Sequence, residues 1–232
     1  MERREFQTNN ADSVKKTEFF HNLALKHLPE MRLLIKGGGL SKKEGWRNVV
    51  EHCLVQIAVS ETLSRLLGLS EEDSQKLIRV AACHDWAKRL ERKPDGFTEE
   101  EKGEAMTLLA KLAPNQGLMK ATGPEFLEKA LIRGESTFLE RLQFYIDDIT
   151  KGSEIVPFDE RVNEVEARRQ DLNDDLVLTA KLGGRYWDRE RELGHQTEQE
   201  IFDRLQETGV KIDSPKDIPV FVVQTIESEM KS

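Results

Sequence analysis

From Ser13 to Met230 the apolar residues recur at every third or fourth position, in segments parted by glycine, proline or a helix-capping side chain. A chain patterned this way buries one stripe of each segment against another helix, so the expected fold class is all-α, a helical bundle. The first helix is expected over residues 13–27, with Phe19, Phe20, Leu23 and Leu25 as its apolar contacts, and Pro29 ends or bends it. Lys36-Gly37-Gly38-Gly39 reads as a loop. Ser41 and Glu44 form a capping box that opens a second helix, which carries Val50, Cys53, Leu54 and Ile57 and stops at Gly68. Ser70 caps a third helix, with Glu71, Glu72 and Asp73 at the positive end of its dipole. Its stretch from Leu77 to Cys83 is apolar enough to be buried over much of its circumference. Pro94-Asp95-Gly96 is a turn, and Thr98 with Glu101 repeats the capping box for a fourth helix reaching Leu112.

Gly123-Pro124 breaks the pattern before a short helix to Ile132. Ser136 is expected to start a helix ending near Thr150, and Pro157 with Asp159 a charged one to Gln170. Two more are expected over 176–192 and 197–205, and a last one over 217–230. Val220-Phe221-Val222-Val223 has strand composition, but Ile218, Val222 and Ile226 share one helical side, which favours helix. Residues 1–172 are expected to form the helical core, N-terminal helix included, with 173–232 a C-terminal helical extension packed on it.

Charge narrows the partners. The net charge of −8 and pI near 5.3 repel duplex nucleic acid, whereas a small anion needs only a few local cations. No uncharged run is long enough to span a bilayer, so no membrane partner is expected. The N-terminus has no apolar signal-peptide core, and Cys53 and Cys83 sit inside helical patterns, which fits a reducing cytoplasm.

Chemistry concentrates at four residues. His84-Asp85 closes the apolar third-helix stretch, where an unpaired carboxylate is costly. His52 lies on the preceding helix, and the short Gly68-Leu69 connection makes the two helices antiparallel neighbours. Asp147 follows Phe144-Tyr145-Ile146 near a helix end. Each alone reads as a solvated helix end or a histidine bonded to backbone. Together, two imidazoles and two carboxylates suit one divalent ion of the Mn, Fe, Co, Ni or Zn kind, with Mg also admitted. Lys88, three residues beyond Asp85, is placed to hold a phosphoryl oxygen or stabilise developing charge; its bland alternative is a surface lysine paired with Glu91. Arg47 is a weaker phosphate-binding candidate. Cys53 and Cys83 read as packing residues and His195 as a surface residue at a helix start. The triple glycine lacks the Lys-Ser/Thr ending of a phosphate-binding loop.

The order His52, His84-Asp85, Asp147 resembles the H…HD…D signature of the HD superfamily. Arg47-Asn48-Val49-Val50-Glu51-His52 is similar to the histidine helix of bacterial 5′-deoxynucleotidases in that superfamily. Ala81-Ala82-Cys83-His84-Asp85-Trp86-Ala87-Lys88 resembles the HDxxK form found in dinucleoside-tetraphosphate hydrolases, and Tyr145-Ile146-Asp147 the final aspartate helix. The resemblance spans residues 40–165. It implies a bundle around one metal ion held by His52, His84, Asp85 and Asp147, and hydrolysis of a phosphate ester or anhydride of a small molecule, with a nucleotide expected. Asp85 and Lys88 are then the expected catalytic residues, and Lys88 and Arg47 the substrate-binding ones. Members with two or three metals carry extra histidines between the last two motifs; residues 86–146 hold none, so one ion is expected. Where the nucleotidases have an acidic residue, this chain has Lys88. The alternative is a non-catalytic HD-fold module that regulates or binds a partner. The oligomeric state is open, a homodimer included.

Overall fold

The computed structural model describes residues 15–38, 48–92 and 94–231. Among these the chain is all-α apart from one small hairpin. Helix α1 covers residues 15–26. It is followed by α2 (Leu28–Lys36), α3 (Asn48–Leu66), α4 (Glu71–Cys83), α5 (Lys88–Arg92), α6 (Glu99–Leu112), α7 (Gln116–Met119), α8 (Gly123–Leu127) and α9 (Phe138–Asp148). Strands β1 (Thr150–Lys151) and β2 (Glu154–Ile155) pair antiparallel, Thr150 opposite Ile155. Then come α10 (Phe158–Arg168), α11 (Asp171–Asp174), α12 (Leu176–Leu182), α13 (Tyr186–Glu207) and α14 (Ile218–Lys231).

The bundle is organised around α3. Helices α2, α4, α9 and α14 and the hairpin all pack on it, so residues 52–60 are buried without a break, the polar His52, Gln56 and Ser60 included. Gly68, at φ +62, ends the connection from α3, and α4 folds back along it. The α4 start is fixed by Ser70, whose hydroxyl accepts from the Asp73 amide at 3.1 Å. The capping box of α6 forms as expected between Thr98 and Glu101.

The C-terminal helices share the same apolar core. Leu193, Ile201 and Leu205 of α13 and Val222 and Ile226 of α14 belong to one cluster with Ile57, Leu142 and Phe144. The Phe158 ring stacks on Tyr145 at 6.0 Å, and the Tyr145 hydroxyl donates to Glu198 of α13 at 2.8 Å. Gly194 lets α13 approach that stack, since a Cβ there would lie 1.8 Å from Phe158 Cζ. None of the helices of the described residues is long and apolar enough to cross a membrane.

Several boundaries differ from the sequence expectation. Pro29 does not simply stop a helix; it sits in the first turn of α2, where its missing N–H costs nothing. The α9 cap is Thr137, not Ser136, which accepts from the Arg141 guanidinium instead. The break expected near residues 193–196 lies at Gly183, at φ +66, and α13 then runs unbroken for 22 residues. Gly194-His195-Gln196-Thr197 looks like punctuation, but Gly194 serves packing and the Thr197 hydroxyl bonds back to Leu193 O at 2.8 Å within the helix. The hairpin at 150–155 was not expected; it depends on a two-residue turn with Gly152 at φ +60. The Ser41–Glu44 capping box lies outside the described residues.

Candidate metal centre

Three helices deliver the candidate ligands. His52 lies in the first turns of α3, His84 is the C-cap of α4, Asp85 follows it in the turn, and Asp147 lies in the last turn of α9. The Asp147 Oδ1 atom is 3.3 Å from His52 Nε2 and 3.4 Å from His84 Nε2. One ligand atom from each of these three residues lies within 4.8 Å of the other two, so they can hold a metal ion. Atoms bound to one ion through bonds of about 2.0–2.2 Å have separations of this size.

The rings are oriented from behind. His52 Nδ1 donates to Gly152 O at 3.2 Å, and His84 Nδ1 donates to Ala81 O at 3.1 Å. Each bond commits the proton of the neutral ring to Nδ1 and leaves the Nε2 lone pair facing the shared point. His84 Nε2 is buried and has no hydrogen-bond partner. Two lone pairs and a carboxylate oxygen aimed at one point, one of them orphaned, fit a cation. Burial alone would lower the His84 pKa, but the Asp85 and Asp147 carboxylates outweigh it and raise it to about 9. Burial likewise opposes the charge on Asp147, yet the two imidazoles beside it, His84 first, hold its carboxyl well below the usual range. The site therefore attracts positive charge.

Asp85 stands slightly further out. Its Oδ1 is 3.7 Å from His84 Nε2, its Oδ2 is 3.9 Å from His52 Nε2, and Lys88 Nζ donates to Oδ2 at 2.5 Å. Despite burial, His84 and Lys88 lower the Asp85 pKa, and Asp85 in turn raises that of Lys88. The three-residue spacing from Asp85 to Lys88 is not a helical one, because α4 does not continue to Lys88. Residues 84–87 form a turn, and Lys88 opens α5, yet it still reaches Asp85 rather than Glu91. The open side of the site is marked by the Asp147 side chain, 30% exposed, and the Lys88 side chain, 38% exposed.

No family model matches the chain, and no curated protein and no solved structure matches it. The functional reading therefore rests on this geometry and on the motifs.

Of the residues singled out in the sequence, the structure brings together His52, His84, Asp85, Asp147 and Lys88. Arg47 lies outside the described residues. Asp148 is not a substitute for Asp147. It faces Glu190 of α13, and burial, then Glu190 and Asp147, push its pKa well above the ordinary range. Burial also raises Glu190 to about 7, against the hydrogen bonds of Tyr186 and Asp148. Cys53 and Cys83 are fully buried, and burial pushes the Cys53 thiol well up and that of Cys83 to about 12, so neither supplies a thiolate. His195 lies inside α13, not at its start, 3.1 Å from Asp159. Lys36 pairs with Glu104.

Two site residues escaped sequence reasoning. Gly152 supplies the carbonyl behind His52, and nothing local announces a contact across a hundred residues. Gln56 donates from Nε2 to Asp147 Oδ1 at 2.7 Å and lies 2.9 Å from His52 Nε2. Its signal was legible: a polar residue four positions after a candidate ligand, inside an apolar run.

Proposed function

We propose that the chain is a metal-dependent phosphohydrolase that cleaves a phosphate ester or anhydride of a small molecule, with a nucleotide as the substrate class. The observation that carries this reading is the convergence of His52, His84 and Asp147 on one point beside the Asp85–Lys88 pair at an open edge. A single divalent ion held there, with Asp85 as fourth ligand, would supply Lewis acidity toward a phosphoryl oxygen and acidify water. His52 and His84 would offer the ion their Nε2 lone pairs, the ion displacing the proton that Asp85 and Asp147 otherwise hold on His84, and the two carboxylates would supply the negative charge that retains a cation. Lys88 is the cation at the mouth. Paired with Asp85 and partly exposed, it remains charged and can take a phosphoryl oxygen, so that negative charge developing on phosphate meets a fixed positive group. Glu101 and Glu104, acidic residues of the histidine-free interval that could serve a second ion, are used elsewhere, in the α6 cap and on Lys36.

The test is a phosphate-release screen over nucleotides and sugar phosphates with Mn, Co, Ni and Mg each supplied. On an active substrate, Lys88→Ala is expected to lower turnover about 10²–10³-fold with metal content intact. Asp85→Asn is expected to lose both turnover and metal. Wild-type turnover in Lys88→Ala would return Lys88 to a surface role. A screen in which no substrate releases phosphate with any metal would favour a non-catalytic binding module.

A further inference from the structure

Gln56 is fully buried on α3, and its carboxamide reaches two of the three atoms that converge in the metal centre. The orientation of that amide is dictated by its neighbours. His52 Nδ1 must donate to Gly152 O, because a carbonyl only accepts, so the neutral His52 ring has a lone pair at Nε2. Asp147 Oδ1 is also an acceptor. A carboxamide oxygen turned toward these two atoms would meet two acceptors, whereas the NH₂ group satisfies both. The NH₂ group therefore faces the site. The cost appears on the other side, where Gln56 Oε1 is buried with no hydrogen-bond partner.

This arrangement places the Gln56 NH₂ where it does the work of a cation, with its two hydrogens on the two atoms an ion would take. Once an ion takes the single lone pair of His52 Nε2 and shares Asp147 Oδ1, the NH₂ group loses its imidazole acceptor and faces the cation, and the orphaned oxygen gains a reason to turn inward. We infer that Gln56 belongs to the metal centre, donating to His52 and Asp147 without metal and turning its carboxamide oxygen onto the ion when metal binds. A neutral oxygen ligand adds no charge and suits the same borderline divalent ions as the imidazoles and carboxylates around it. The inference rests on the metal reading of the site and names a ligand the motifs do not contain.

The test uses Co²⁺ as probe, with affinity from calorimetric titration and coordination from the visible spectrum of the bound ion. In the full-length protein, Gln56→Leu removes the oxygen while keeping an apolar side chain of similar reach, and Gln56→Glu keeps an oxygen at the same place. The expected result for Gln56→Leu is a loss of Co²⁺ affinity on the order of 10–100-fold together with a changed spectrum. Gln56→Glu is expected to bind at least as tightly as wild type and to keep a wild-type band pattern. Circular dichroism of each variant checks that the helical fold is retained, and if Gln56→Leu unfolds, the Gln56→Glu spectrum decides: an altered band pattern rejects the ligand role. Unchanged affinity and spectrum in Gln56→Leu would overturn the inference and leave the metal centre standing. Weakened affinity with an unchanged spectrum would also overturn it, reducing Gln56 to a group that steadies Asp147. Failure of the wild-type chain to bind Co²⁺ at all would reject the metal reading, and this inference with it.

Discussion

Replacing Gly37 with alanine separates close packing from backbone freedom. Gly37 is the C-cap of α2 at φ −71, a conformation any residue adopts. Chain entropy alone would make Gly37→Ala stabilising by about 0.4–1 kcal/mol. The structure reverses that sign. A Cβ at position 37 would lie 2.0 Å from the Trp86 carbonyl oxygen and 3.1 Å from its carbon, and both are backbone atoms. The turn must retreat by more than an ångström to reach the 3.4 Å of ordinary contact, and it has no side-chain rotamer with which to do so. Overpacking of this kind costs about 1–3 kcal/mol, and a chain of this size loses roughly 2–4 °C of melting temperature per kcal/mol. The displaced segment carries His84 and Asp85, so metal affinity is expected to fall with stability. Urea denaturation followed by circular dichroism measures the first effect, and Co²⁺ titration the second. Gly103→Ala in α6 is the control: a Cβ there meets nothing within 4 Å, and the exchange is expected to stabilise by about 0.5–1 kcal/mol. A Gly37→Ala protein as stable as wild type, or more so, would show that the Gly37–Trp86 approach does not hold the ligand turn.

Two further predictions concern the packing behind α9. Gly194→Ala would set its Cβ 1.8 Å from Phe158 Cζ and is expected to destabilise by about 1–3 kcal/mol in thermal melts, with part recovered in a Gly194→Ala/Phe158→Leu double variant; additive losses would mean that the two residues do not share this contact. Glu190 has a folded pKa of about 7, above its ordinary 4.5, so its contribution is fully present below about pH 4.5 and is lost as pH rises through 7. The Glu190→Gln variant escapes that loss, and its stability relative to wild type is expected to improve by on the order of 1–3 kcal/mol between pH 4.5 and pH 8; a pH-independent difference would refute the shifted pKa.

The helices and three of the ligands were legible for different reasons. Helices announce themselves locally, through caps such as Ser70 and Thr98 and through Gly68, because those bonds close within four residues. His52, His84 and Asp147 were legible because polar groups beside buried apolar stretches require a partner. What stayed hidden depends on distant partners. Gly37 reads as loop until Trp86 is seen against it, and Gly194 reads as a helix breaker until Phe158 is seen beneath it. Gln56 passed unremarked although its place four residues after His52 was legible, since only the fold brings its carboxamide against Asp147.

The end of α9 carries two adjacent carboxylates, and successive helical residues point about 100° apart, so one rotation of α9 decides where both go. Asp147 faces the histidines while Asp148 meets Glu190 in α13. On the same helix, Tyr145 is fixed by its bond to Glu198 and its stack on Phe158, and Gly194 admits that stack. Each of these contacts reaches α9 from α13 or α10, and each resists its rotation. A carboxylate shared by two imidazoles at 3.3 and 3.4 Å tolerates little rotation before one of the two distances opens. Helices α10 and α13 thus set the angle at which Asp147 enters the candidate metal centre without contributing a candidate ligand to it.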